Sequence, residues 1–301
     1  MRLFRAGDGH LLFSWTVIER AIRREVETGE TLYVAPRKKR VERWKPDDFV
    51  LETTTVWDFP RRGDWAVHIG DYRGNWPPQI PRNLIERYTQ VGDLVVDAFA
   101  GGGTTLVEAW LLGRRSIGFD ISRLAIQTTK ARLKEMEDLA EKSGSISLDP
   151  ACRPIVIEGD ALQLSSALGA HGVGKGDVKL VCAHPPYLDS LEYTVNNCND
   201  LALLSDPDAF CDRMRVFARE VQEVLSEKGV CAVLIGDVRK RGKTVPLGFS
   251  TLGVFLKEEF ELDSVVMKTQ HRDRSSEFYV RRASALLMAH EYLFILRGRQ
   301  T

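Results

Sequence analysis

Leu94-Val-Val-Asp-Ala-Phe-Ala-Gly-Gly-Gly-Thr-Thr105 is the stretch on which the fold turns. Its apolar, partly β-branched start predicts a buried strand over 94–99. Three successive glycines, Gly101 to Gly103, then let the backbone turn sharply and approach a ligand, because no Cβ intervenes. Thr104 and Thr105 open a helix expected over 104–112, whose first N–H groups are free to meet an anion. No Gly-Lys-Ser/Thr follows the glycines, so this is not a P-loop, and the spacing departs from the GxGxxG dinucleotide pattern.

Outward from this turn, short apolar runs alternate with helix-like stretches. Strands are expected over 116–120, 154–158, 178–182, 230–235, 261–267 and 291–296. Helices are expected over 124–139, 210–225 and 247–255. Such alternation implies an α/β fold, a mostly parallel sheet with helices on both faces. Residues 1–52 have a different texture, one helix candidate over 15–28 followed by Arg37, Lys38, Lys39, Arg40, Arg43 and Lys45. They read as an N-terminal extension lying against a main domain of residues 53–301.

The 301 residues carry 42 Lys+Arg against 42 Asp+Glu, and 44% are hydrophobic, enough for a packed core and against wholesale disorder. No apolar run approaches the roughly 18 residues of a membrane span. Cys152, Cys182, Cys198, Cys211 and Cys231 are scattered, forming neither a CxxC pair nor a disulfide framework. A reduced, cytoplasmic protein with no membrane partner and no metal is expected. The balanced charge hides local basic clusters: the one before residue 46, a second at Arg239, Lys240, Arg241 and Lys243, and a third at Arg272, Arg274, Arg281 and Arg282. The third lies in a polar insertion near 268–285, with Phe278 and Tyr279 as candidate wedges. Clusters of this kind suit a polyanion.

Carboxylates stand at the C-terminal ends of three consecutive expected strands: Asp97, Asp120 and Asp160. That is where open parallel sheets hold ligands. Asp120, twenty-three residues after Asp97, suits ribose hydroxyls, and Asp160 an adenine amino group. After the next strand comes Cys182-Ala-His184-Pro185-Pro186-Tyr187, where two prolines fix the backbone and leave carbonyls free to accept hydrogen bonds.

Phe99-Ala-Gly-Gly-Gly with His184-Pro-Pro-Tyr187 resembles the paired motifs of the DNA amino-methyltransferases, an FxGxG loop and an Asp, Asn or Ser followed by Pro-Pro and an aromatic. The stretch Asn75-Trp-Pro-Pro-Gln-Ile-Pro-Arg-Asn-Leu-Ile85 is similar to that family's further cofactor motif, and Gly236-Asp-Val with Pro246-Leu-Gly-Phe249 adds softer support. The resemblance covers roughly Thr53 to Arg297. It implies a Rossmann-like class I methyltransferase fold, a mostly parallel sheet with an antiparallel C-terminal strand. It also implies S-adenosylmethionine as cofactor, held by Trp76, Asn83, Asp97, Phe99, Gly101, Gly103, Thr104, Thr105, Asp120 and Asp160. The implied activity is methylation of adenine N6 or cytosine N4 in double-stranded DNA, in an orphan role or beside a cognate restriction enzyme.

In that reading His184 and the Pro185 carbonyl accept the N–H bonds of the target amine, and Tyr187 stacks on a flipped base. Arg272, Arg274, Arg281 and Arg282 would contact the nucleic acid, and the N-terminal extension is a second candidate contact. His184 is the departure, because histidine offers one nitrogen lone pair where the family has an oxygen, and only when neutral. Competing readings are an RNA guanine-amino methyltransferase, a protein-glutamine methyltransferase and a catalytically silent nucleic-acid-binding subunit.

Overall fold

Val95, Val96, Leu180, Val181 and Cys182 have no exposed surface, and they form the centre of a sheet covered on both faces. The computed structural model describes residues 40–72, 74–188, 199–240, 242–270 and 286–299. The 15–28 helix candidate, Arg37 to Lys39, Arg241, Phe278, Tyr279 and the four arginines of the third cluster lie outside these residues.

Strand β2 (Leu94–Asp97) pairs in parallel with β3 (Arg115–Asp120) on one side and β5 (Val178–Ala183) on the other. β4 (Ile155–Glu158) extends the sheet beyond β3, and β6 (Leu225–Ile235) extends it beyond β5, all parallel. The reversed strand β10 (His290–Arg297) fits between β6 and β9 (Glu261–Thr269). A two-residue strand β1 (Val56–Trp57) closes the edge beside β9. The full order is β1-β9-β10-β6-β5-β2-β3-β4. This is the Rossmann-like class I methyltransferase architecture expected, with the antiparallel strand drawn from the C-terminal end.

Alternate residues divide between the two faces, as a pleated strand requires. Val96, Val181, Ala183 and Val233 meet α4 (Leu164–Gly169), α5 (Pro207–Val224) and α6 (Leu247–Lys257). Val95, Leu180, Cys182 and Ala232 meet α1 (Gln79–Tyr88) on the opposite face. On that side too, α2 (Thr104–Leu111), which carries Trp110, and α3 (Arg123–Ser143) enclose Trp65. Helix α3 starts where the Ser122 side chain accepts from the Ala125 N–H and stops at Gly144 in the left-handed region. Among the described residues no helix is long and apolar enough to cross a membrane.

Several elements were not anticipated. Helix α1 follows two prolines and carries Pro81, which its first turn tolerates because that N–H has no intrahelical partner. Strand β1, helix α4 and the hairpin of β7 (Val238–Lys240) with β8 (Lys243–Val245) are short, and the hairpin takes up part of the second basic cluster. The described part of the stretch before residue 53 is tied to the main sheet's helices. Trp44 donates to Ser145 Oγ at 2.9 Å, and Arg82 sits 5.1 Å over the Phe49 ring.

Candidate active site

The strand order turns back between β2 and β5, and the chain leaves both strands on the same edge of the sheet. Past Asp97 the backbone enters the glycine loop, where Gly101 takes φ +51°, a conformation that a side chain disfavours. The Gly101 N–H donates to Asp120 Oδ2 at 2.8 Å, and the Ser122 N–H donates to Oδ1 at 2.8 Å. The Gly102 N–H donates to Asn75 Oδ1 at 3.0 Å, and the Thr129 hydroxyl donates to the Gly101 carbonyl at 2.8 Å. Arg132, itself paired with Asp71, donates to the Gly102 carbonyl. A Cβ on Gly102 would lie 2.6 Å from Asn75 Nδ2 and 2.7 Å from Arg132 Nη1, so the loop has no room for one.

Burial pushes the Asp120 carboxyl up to about 7, against the two N–H groups that hold it down. Asp97 is raised to about 6 for the same reason. Asp160 accepts from the Leu162 N–H at 2.9 Å and from the Asn199 amide at 2.7 Å.

Beyond β5 the turn His184-Pro185-Pro186-Tyr187 runs across the same edge of the sheet. The His184 imidazole stacks on Trp76, with ring centroids 5.9 Å apart and planes 19° apart. His184 Nε2 stands 4.0 Å from Glu291 Oε1, near the start of β10. Tyr187 donates its hydroxyl to Glu291 Oε1 at 3.3 Å, and Lys268 Nζ on β9 pairs with Glu291 Oε2 at 2.8 Å. Burial lowers the His184 pKa; Glu291 pulls against that and Lys268 adds to it, so the ring is neutral near pH 7. Burial alone would raise the Glu291 carboxyl, but its partners, led by the Lys268 ammonium, outweigh it and leave the group below its ordinary value.

One cavity of about 330 Å³ is lined by both halves. Of the residues expected from sequence, Trp76, Asp97, Phe99, Gly101, Asp120 and Asp160 line it, and so do His184, Pro185, Pro186 and Tyr187. Gly103, Thr104 and Thr105 do not: they form the start of α2 behind the loop, with both threonines buried. Asn83 stands elsewhere and is corrected. Its Oδ1 accepts from the Glu52 N–H and its Nδ2 donates to the Gln79 carbonyl, each at 2.8 Å, so it ties the preceding segment to α1. Trp76, expected at the cofactor, is also the platform under His184. Sequence reasoning missed Tyr72, Asn75, Asn199 and Glu291 as lining residues. Asn75 adjoins Trp76 in a stretch already singled out, whereas an isolated glutamate at a strand start gave no signal.

The family described as DNA methylase matches residues 20–146. The match begins inside the stretch read as an extension and stops short of His184. The chain is 31% identical over 115 residues to the Type II methyltransferase M.MjaII of Methanocaldococcus jannaschii, covering 37% of this chain and 21% of that protein. It is 35% identical over 105 residues to the DNA adenine methyltransferase YhdJ of Escherichia coli, covering 31% of this chain and 34% of that protein. The chain thus matches only about a fifth and about a third of the length of these two relatives. A TehB-like SAM-dependent methyltransferase of Corynebacterium glutamicum superposes with a TM-score of 0.41 at 15% identity, over 73% of this chain and 86% of that one. At that score the sheet order, not the likeness, defines the fold.

Proposed function

We propose that this chain is a member of the DNA amino-methyltransferase family and that it methylates an exocyclic amino group, adenine N6 or cytosine N4, in double-stranded DNA. The reading rests chiefly on one observation: the glycine loop and the His-Pro-Pro-Tyr turn face a single cavity.

S-adenosylmethionine supplies, when bound, a methyl group on a positively charged sulfur. The residues fit it. The cavity has the size of a small-molecule site, a Cβ on its lining residue Gly101 would crowd to 3.1 Å from the ring of Tyr72, another lining residue, and carboxylates stand at successive strand ends. Asp120 would accept from the ribose hydroxyls beside its two backbone N–H partners, and Asp160 would accept from the adenine amino group beside its own. On the other wall the target amine is a poor nucleophile, because its lone pair is delocalised into the base. His184 and the Pro185 carbonyl accept its N–H bonds, draw the nitrogen towards a pyramidal shape and free the lone pair. Tyr187 stacks on the base once it has left the duplex. Cys182 is fully buried with its thiol pKa pushed far up, which removes it as a nucleophile.

Arg272, Arg274, Arg281 and Arg282 are proposed as phosphate contacts. M.MjaII is a Type II methyltransferase, and the same setting is proposed here, with a cognate restriction enzyme as partner.

The test is incubation with methyl-labelled S-adenosylmethionine on duplex DNA, single-stranded DNA and structured RNA. Label should enter duplex DNA and be lost in His184→Ala. Label confined to RNA would transfer the reading to a guanine amino group. A parent inert on every substrate, beside an active His184→Asn, would make the natural chain a silent subunit.

A further inference from the structure

The first position of the Pro-Pro-Tyr motif offers no oxygen, and a distant strand brings one to the same place. Because β10 runs opposite to β6, its first residues lie beside the end of β6, with Tyr292 opposite Ile235. Glu291 is thereby carried to the edge of the sheet that the chain crosses at His184, where it lines the cavity with 6% of its surface exposed. Gly236 keeps the space open: a Cβ there would lie 3.1 Å from the Tyr187 hydroxyl and 3.4 Å from Glu291 Cγ. A buried carboxylate is costly unless it is paired, and Lys268 pairs with Oε2 at 2.8 Å. The other oxygen, Oε1, faces His184 Nε2 across 4.0 Å and receives the longer Tyr187 bond. The Gly74 backbone hydrogen-bonds the imidazole and fixes the ring that completes the pair.

We propose that Glu291 is a catalytic residue whose Oε1, together with His184 Nε2, accepts the two N–H bonds of the target amine. Glu291 supplies the oxygen that the motif's first residue lacks and takes the N–H assigned above to the Pro185 carbonyl. The inference rests on the DNA amino-methylation reading. An amine nitrogen about 2.9 Å from each acceptor would see the pair at roughly 90°. A planar amine, with its N–H bonds at about 120°, would need acceptors about 5 Å apart at the same reach. The observed spacing therefore favours the pyramidal nitrogen of the transition state over the flat nitrogen of the ground state. In the transfer the amine lone pair forms the new N–C bond and the S–C electron pair stays on sulfur. One amine proton passes to Glu291 Oε1, and solvent takes it after the product leaves. Lys268 keeps the carboxylate ionised for that step.

Glu291→Ala removes the oxygen but strands the Lys268 ammonium. Glu291→Met combined with Lys268→Met removes the whole pair with little change of volume and keeps the experiment meaningful if the single variant unfolds. Turnover on duplex DNA should fall about 10²-fold in the double variant, with cofactor affinity by calorimetry and KM for DNA near the parent's. Adding His184→Asp to the double variant restores an oxygen at the motif itself and should recover turnover at least tenfold. A double variant as fast as the parent would overturn the proposal. So would a slow one that His184→Asp leaves unrescued, since that outcome marks a structural role. A parent that binds S-adenosylmethionine yet methylates no nucleic acid would overturn the DNA reading, and this inference with it.

Discussion

The glycine loop is held by Asn75, Asp120, Thr129 and Arg132, none more than 30 residues from the glycine it touches. The His-Pro-Pro-Tyr turn depends instead on side chains from remote strands: Glu291 lies 104 residues from the Tyr187 it bonds, and Lys268 reaches the site through Glu291. The first wall is made of backbone and short-range contacts, so its shape is set before a ligand arrives. The second is a buried charge cluster that exists only once the reversed strand has entered the sheet. In the proposed reaction rigidity would serve a cofactor that every cycle shares, and charges able to accept a proton would serve an amine whose shape must change.

The largest contrast between the walls should appear at His184. His184→Ala removes an acceptor and should lower turnover about 10²-fold, roughly 2.7 kcal/mol of barrier, while cofactor affinity by calorimetry stays within twofold. In the proposed mechanism the neutral ring is the working form, and burial holds its pKa below 6.5. Activity should therefore be full at neutral pH and decline only as pH falls through that lowered value. His184→Asn, with an oxygen that does not titrate, should keep turnover and lose the acidic decline.

Asp120→Ala probes the opposite wall and should weaken S-adenosylmethionine binding by about 1.5–3 kcal/mol. Its carboxyl titrates near 7, raised by burial, so the ionised acceptor is present above that pH. Cofactor affinity of the parent should weaken as pH drops through 7, and the alanine variant should lose that dependence in calorimetric titrations. A parent affinity flat from pH 6 to pH 8 would separate Asp120 from the ribose.

Gly102→Ala forces a Cβ to within 2.6 Å of Asn75 Nδ2. It should cost about 1–3 kcal/mol of stability in denaturant melts, the scale of overpacking, and should raise the cofactor dissociation constant. The smallest effect belongs to Asn83, which serves neither wall. Asn83→Ala should cost about 1 kcal/mol of stability and leave both cofactor affinity and turnover unchanged.

The same contrast explains what could be read from the chain. The strand, turn and helix at 94–105 form one contiguous unit, and Asp120 follows at a fixed spacing, so the glycine-loop side of the cavity was legible in Asp97, Phe99, Gly101 and Asp120, while Gly103, Thr104 and Thr105 fell behind it. The parallel strands were legible from their apolar runs. Asn83 misled because it sits in a motif-like stretch, yet folding spends its amide on Glu52 and Gln79. Glu291 was invisible for the converse reason. Its role arises from antiparallel pairing with β6 and from the missing side chain at Gly236, and neither leaves a pattern around residue 291. Helix α1 was hidden by its prolines, which mark a turn in sequence but fit a helix's first positions in space.

The meeting of the two walls on one exocyclic nitrogen is tested most directly by digesting methylated duplex DNA to nucleosides and locating the transferred methyl by mass spectrometry. N6-methyladenine or N4-methylcytosine, present with the parent and reduced about 10²-fold with His184→Ala, is the expected result. Methyl found on a ring carbon such as cytosine C5, or unchanged by His184→Ala, would contradict the assignment of His184-Pro185-Pro186-Tyr187 to the target amine.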